Sequence, residues 1–144
     1  MKLTAKQILH DVYTRLRNST FASQLSGDVY KQSSPKSKSP RPRDSKLEDA
    51  IVIFTTGDAD QIQQGIVTIN IYVSDINPYS NGVYEEDGQR CEDIEVMANE
   101  WAETLIEESN DYLFELGQAI YTEAEPDINQ HFIVIKLKYK LLTY

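Results

Sequence analysis

The 144-residue chain contains one cysteine, two histidines and six glycines. A lone Cys91 excludes an intramolecular disulfide and fits a reducing compartment. His10, His131 and Cys91 are the only nitrogen or sulfur candidates for a metal, and no two stand at ligand spacing. Asp58-Ala59-Asp60 opens like a calcium loop, but Gln63 occupies the glycine position and Ile69 that of the bidentate glutamate. No metal and no cofactor is therefore expected. The glycines are scattered singly, which excludes a Gly-rich phosphate cradle, and no serine sits in a Gly-x-Ser-x-Gly turn. Glu85, Glu86 and Asp87 read as a solvated helix entry rather than a catalytic pair. No catalytic residue is assigned, and the protein is expected not to be an enzyme. Uninterrupted apolar runs are only a few residues long, so no segment can span a bilayer as a helix. The stretch from Met1 to Gln7 leads into an amphipathic pattern rather than a signal sequence, so cytoplasmic synthesis without membrane contact is expected.

What the chain does have is apolar content and an uneven charge. Hydrophobic residues make up 40% of it, with nine tyrosines, enough for one domain spanning residues 1–144 with its own core. The net charge is −9, which argues against coating nucleic acid wholesale. Of 14 bases, six fall between Lys31 and Lys46: Lys31, Lys36, Lys38, Arg41, Arg43 and Lys46. Of 23 acids, only Asp44 falls there. The rest of the chain is left with eight bases against 22 acids. The basic stretch also holds three prolines and five serines, too little apolar surface to offset ordering entropy, so residues 32–46 are expected to form a mobile loop. Three uses for that loop stay open: a solvated linker, a contact to phosphates, or a protein contact made on ordering. No aromatic lies between Gln32 and Leu47 to stack a base, and the sign of the loop complements the chain that carries it. Protein contact is the favoured use.

Periodicity supplies the elements. Ala5, Ile8, Leu9, Val12 and Leu16 mark a first helix over about residues 4–18, opened by a Thr4/Gln7 capping box. A short strand is expected over 28–31 and a β-branched one over 50–55, stopped by Gly57-Asp58. In residues 66–73, Val67, Ile69, Ile71 and Val73 alternate with polar neighbours and define a half-buried strand. A second helix is predicted over 89–109, with Ile94, Met97, Ala98, Trp101, Ala102, Leu105 and Ile106 forming its apolar stripe. Residues 116–124 read as one strand and 132–142 as a long last one. That last strand turns Ile133, Ile135, Leu137, Tyr139 and Leu141 one way and Lys136, Lys138 and Lys140 the other. The lysine row fits a solvated strand face, and it is also a candidate contact face for another subunit. The fold class is α+β: a mostly antiparallel sheet with two helices on one face and a long basic loop between early strands.

The arrangement resembles the tail terminator (tail-completion) proteins of long-tailed bacteriophages and prophages. The likeness rests on Val29-Tyr30-Lys31 after the first helix, Arg41-Pro42, Ser45, and Glu48-Asp49 running into Ile51-Val52-Ile53. It continues through Gln64-Gly65-Ile66-Val67, Ile69 to Val73, the amphipathic second helix, and His131-Phe132 before the lysine-bearing strand. The resemblance spans about residues 4–142 as topology and short motifs. It implies a subunit that assembles with itself as a ring, typically a hexamer, capping the tail tube and offering a docking surface for head-completion proteins. It also implies a place in the assembled virion. The Ser/Lys-rich insertion between Lys31 and Arg41 departs from the pattern. The alternatives are a prophage-encoded regulatory or nucleic-acid-binding module acting through the basic loop and, more weakly, a small enzyme of unrecognised type.

Overall fold

The computed structural model describes residues 2–32, 39–59, 62–108 and 111–142. Helix α1 spans Ala5–Arg17, and its start is set by chemistry the sequence announces: the Thr4 hydroxyl accepts from the Gln7 amide while the Gln7 side chain accepts from the Thr4 amide. A one-turn helix α2, Thr20–Ser23, follows, capped by Ser19 and seating Phe21 in the core. Sequence periodicity cannot resolve so short a turn. Strand β1, Val29–Lys31, pairs parallel with β2, Ala50–Ala59, and β2 pairs antiparallel with β3, Ile62–Ser74. Helix α3 covers Gly88–Glu108, and strands β4 (Leu113–Leu116), β5 (Tyr121–Glu125) and β6 (Gln130–Leu142) complete the chain. The result is an α+β domain with a mixed, mostly antiparallel sheet and its helices packed to one side.

Strand order is β1-β2-β3-β6-β4, with β5 beside β6 on the same flank as β4. The central β3–β6 pair runs in continuous register from Ile62↔Leu142 to Ser74↔Gln130. Because strand side chains alternate, that register puts Val67, Ile69, Ile71 and Val73 beside Leu137, Ile135, Ile133 and His131 on the helix side. Leu9, Ile94, Trp101 and Leu105 close over the apolar members. Lys136, Lys138 and Lys140 stand on the opposite face, as the alternation predicts.

Four expectations need correction. Gly57 does not stop β2, which continues to Ala59 through a register shift between Phe54 and Thr56. Gly57 lies opposite Gly65 because the bulge crowds them: a Cβ on Gly65 would fall 2.0 Å from the Thr56 carbonyl oxygen. The clear alternation of residues 66–73 likewise marks only part of β3, which begins at Ile62. Residues 116–124 are not one strand, since β4 pairs with residues 137–140 and β5 with 130–134. Between them only the Gly117 amide reaches across, to the Lys136 carbonyl. Ile106 is 44% exposed, so the apolar stripe of α3 ends at Leu105.

Ile69 and Ile135 face each other and are fully buried. Ile69→Ala and Ile135→Ala should each cost about 2–5 kcal/mol in urea unfolding, while Lys140→Ala should stay within about 0.5 kcal/mol. Near-neutral values for both isoleucines would mean the strands face the other way.

Candidate functional site

Among the described residues, the bases singled out in the sequence do not form one patch. Lys36 and Lys38 lie outside the described residues. Lys31 points from β1 to α1, where its Nζ lies 2.9 Å from His10 Nδ1 and 5.1 Å from the centre of the Tyr13 ring. Arg43 and Lys46 are exposed, and the Lys46 carbonyl accepts from Ser74 Oγ at the end of β3. Lys136 lies over the Tyr121 ring, and Lys138 and Lys140 are exposed farther along β6. With β6 rising about 3.4 Å per residue, Lys140 stands roughly 34 Å from Gln130, toward the other end of the strand.

Arg41 departs most from the expectation of a free loop cation. Its side chain is 7% exposed and its donors are consumed by the body of the protein. Nε donates to Asp49 Oδ2 at 2.7 Å, and Nη1 donates to Gln130 Oε1 at 2.8 Å. Nη2 donates to the Ser45 and Leu47 carbonyls, and the guanidinium lies 4.3 Å from the centre of the Tyr72 ring. Residues 39–46 are therefore folded back around one guanidinium, which closes the loop onto β3 and β6.

Asp49 is the counterpart, 1% exposed. Besides Arg41 it accepts from Ser45 Oγ at 2.5 Å and from the Asp28 amide at 3.0 Å. Its Oδ1 would lie 2.2 Å from any Cβ at position 27, which is why Gly27 precedes β1. Burial alone would push this carboxyl up. The bonds from Ser45, Arg41 and Asp28 and the guanidinium charge outweigh it, and the carboxyl titrates below its usual range. Next to it Glu48 takes a forked contact from Arg90, Nε at 2.6 Å and Nη2 at 2.8 Å, which holds Glu48 low as well. Arg41, Ser45 and Glu48-Asp49 enter the sequence reading only as short motifs of a resemblance, with no role given to either acid. The position of the two acids, immediately before the first residue of a buried strand, is the physical signal.

A feature that periodicity did not flag sits near this node. Residues 76–85 form a hydrogen-bonded loop: the Ile76 and Glu85 backbones bond each other twice at 2.8 Å, Asn77 Oδ1 accepts from the Asn81 amide, and Asn81 Oδ1 from that of Val83. Ser80 and Gly82 take positive φ, at 52° and 80°, and turn the tip. Tyr79 is thereby held 76% exposed, with Val83 and Tyr84 also in solvent. Turn residues interleaved with apolar ones in residues 77–84 were the available sign.

Chemistry is sparse elsewhere. His131 Nδ1 lies 2.6 Å from Asp75 Oδ1. Burial, then the carboxylates of Glu86, Asp87 and Glu95, push the Cys91 thiol up to about 12, so it is no nucleophile at neutral pH. An open cleft of about 750 Å³ between α1–α2 and α3 is lined by Arg15, Phe21, Trp101 and Glu108, and Arg15 is already stacked on Tyr112. Among the described residues no group of three or more His, Cys, Asp or Glu side chains could hold a metal, and no helix is long and apolar enough to cross a membrane.

No protein-family model matches the chain, and no curated protein matches it. Among solved structures it is similar to a protein that carries a catalogue designation in place of a descriptive name, at 16% identity over 96% of both chains with a TM-score of 0.43. A likeness that distant carries no functional argument.

The lowered carboxyls set a pH dependence. A folded-state pKa below the unfolded one, about 3.9 for Asp, gives stability that is complete above that value and is lost as pH falls through the folded one. Resistance to urea should therefore decline below about pH 4 in the wild type. Asp49→Asn should start less stable at pH 7 and lose less on acidification, the remainder belonging to Glu48. Equal acid losses in the two proteins would contradict this role for Asp49.

Proposed function

We propose that this protein is a non-enzymatic structural subunit of a phage tail or neck, one that assembles with itself as a ring, terminates the tail tube and offers a docking surface to the head. The observation that supports this reading best is the distribution of exposed apolar side chains. Nine large ones are exposed among the described residues, and six of them (Leu47, Ile76, Tyr79, Val83, Tyr84 and Ile128) belong to segments that meet where β3 ends and β6 begins. The Asp75 amide bonds the Asn129 carbonyl there, and Ser74 bonds that of Lys46. Exposed apolar side chains on neighbouring, well-bonded segments support reading this end as a protein contact.

The place of Arg41 changes how the basic loop should be tested. Reversing its charge would set a carboxylate against buried Asp49 and unfold the node, so loss of assembly in such a variant would say nothing about docking. Charge reversal of the loop should be confined to Lys36, Lys38, Arg43 and Lys46.

Light scattering and electron microscopy of the purified protein should show rings of several subunits. Titration with duplex and single-stranded DNA at moderate salt should show no binding. A strict monomer at every concentration would overturn the assembly reading. Tight DNA binding abolished by the four-residue reversal would favour the nucleic-acid module instead.

A further inference from the structure

The two ends of the subunit differ in a way that fits them to each other. One end carries the 76–85 loop, with Tyr79, Val83 and Tyr84 exposed and Glu85 and Glu86 beside them. Glu125 and Asp127 border the same end, and together these acids outnumber the exposed bases Arg43 and Lys46. The other end carries Lys138 and Lys140 on the sheet face away from the helices, with exposed Glu115 opposite Lys138 and with Leu113 opposite Lys140 and 69% exposed. Lys140 is thus the lysine there without an acid across from it on β4. Among the described residues no ion pair joins either lysine to a carboxylate. Lys138 lies eight residues along β6 from Gln130, about 27 Å, so the loop and the lysine face of one chain stand well apart.

We propose that the acidic aromatic loop of one copy docks on the Lys138/Lys140/Leu113 face of a second copy. This inference rests on the reading of the protein as a self-assembling subunit, and it names the two surfaces that meet. Tyr79 and Tyr84 supply apolar contact to Leu113 and to the lysine stems, while Glu85 faces the Lys140 ammonium group; Glu86 is turned toward the Cys91 thiol. Because the patches differ, the contact is head-to-tail and leaves a free loop and a free lysine face on every pair. Such a contact propagates and closes only as a ring. The occupant is a second copy rather than another protein because this chain itself carries, at Lys140, a charge of opposite sign with the exposed apolar Leu113 directly across from it.

The test uses two variants of the full chain, Glu85→Lys and Lys140→Glu, which leave the Glu86 bond to Cys91 and the Glu115–Lys138 pair untouched. Each alone sets like charges against each other at the contact, so self-association should weaken by about a hundredfold. An equimolar mixture restores opposite charges at every junction and should reassemble with the two variants in equal amounts. Raising salt should weaken the wild-type assembly. Hydrogen exchange of the wild type is the second measurement, and residues 76–85 and 137–140 should gain protection together as the protein is concentrated. It decides the matter even if a variant fails to fold by circular dichroism. Wild-type rings with either variant assembling normally, a mixture that stays dissociated, or exchange unchanged in both segments would overturn the docking while leaving the ring reading intact. A wild type that is monomeric throughout would overturn both.

Discussion

The fold depends on a buried ion pair at the point where the basic segment rejoins the sheet. Arg41 and Asp49 are eight residues apart in sequence, and both are almost fully withdrawn from water. Moving two charges out of water is costly, and the cost is offset only when every polar atom finds a partner. That condition is met: no buried side-chain nitrogen or oxygen among the described residues is left unbonded. The guanidinium reaches Asp49, Gln130 and two backbone carbonyls, so one side chain joins the 39–49 segment to the start of β6. Asp49 in turn accepts from the Asp28 amide, which seats β1 against β2.

This anchoring separates two roles that one stretch of sequence seemed to share. Arg41 serves the fold, and Arg43 and Lys46 are left to the surface. The nearby Glu48–Arg90 fork does a similar job on the helix side, since Arg90 Nη2 also bonds the Gln24 carbonyl after α2. With both junctions fixed, the end of β3 becomes a rigid platform for the 76–85 loop. A surface meant for a partner gains from such rigidity, because less conformational entropy is lost on docking. On the proposed reading the subunit is polar along its strands, with apolar and acidic groups at one end and lysines at the other.

The elements with strong period were legible from residues alone. Alternation placed Val67 to Val73 and Ile133 to Leu141 on the correct face, and Thr4 with Gln7 fixed the start of α1. The errors have local causes. Gly57 resembled a strand breaker, whereas it is a close-approach site beside Tyr139 and Phe54. The strand expected over 116–124 is two strands pairing with different parts of β6, a tertiary choice that no local pattern encodes. Arg41 resembled its basic neighbours because composition is blind to partners: Asp49, Gln130 and Tyr72 are brought to it only by the fold. The lysine row was legible as a face, but its distance from the aromatic loop required the β3–β6 register.

If the basic segment is closed onto the sheet by Arg41 and Asp49, their contributions to stability must be coupled. Urea unfolding of wild type, Arg41→Ala, Asp49→Ala and the double variant measures this directly. Each single change strands a buried charge and should cost about 3–5 kcal/mol, and the double variant should cost well below the sum, with a coupling of at least about 1 kcal/mol. Two near-neutral single variants whose effects simply add would show that Arg41 is an ordinary loop cation, and would contradict the account.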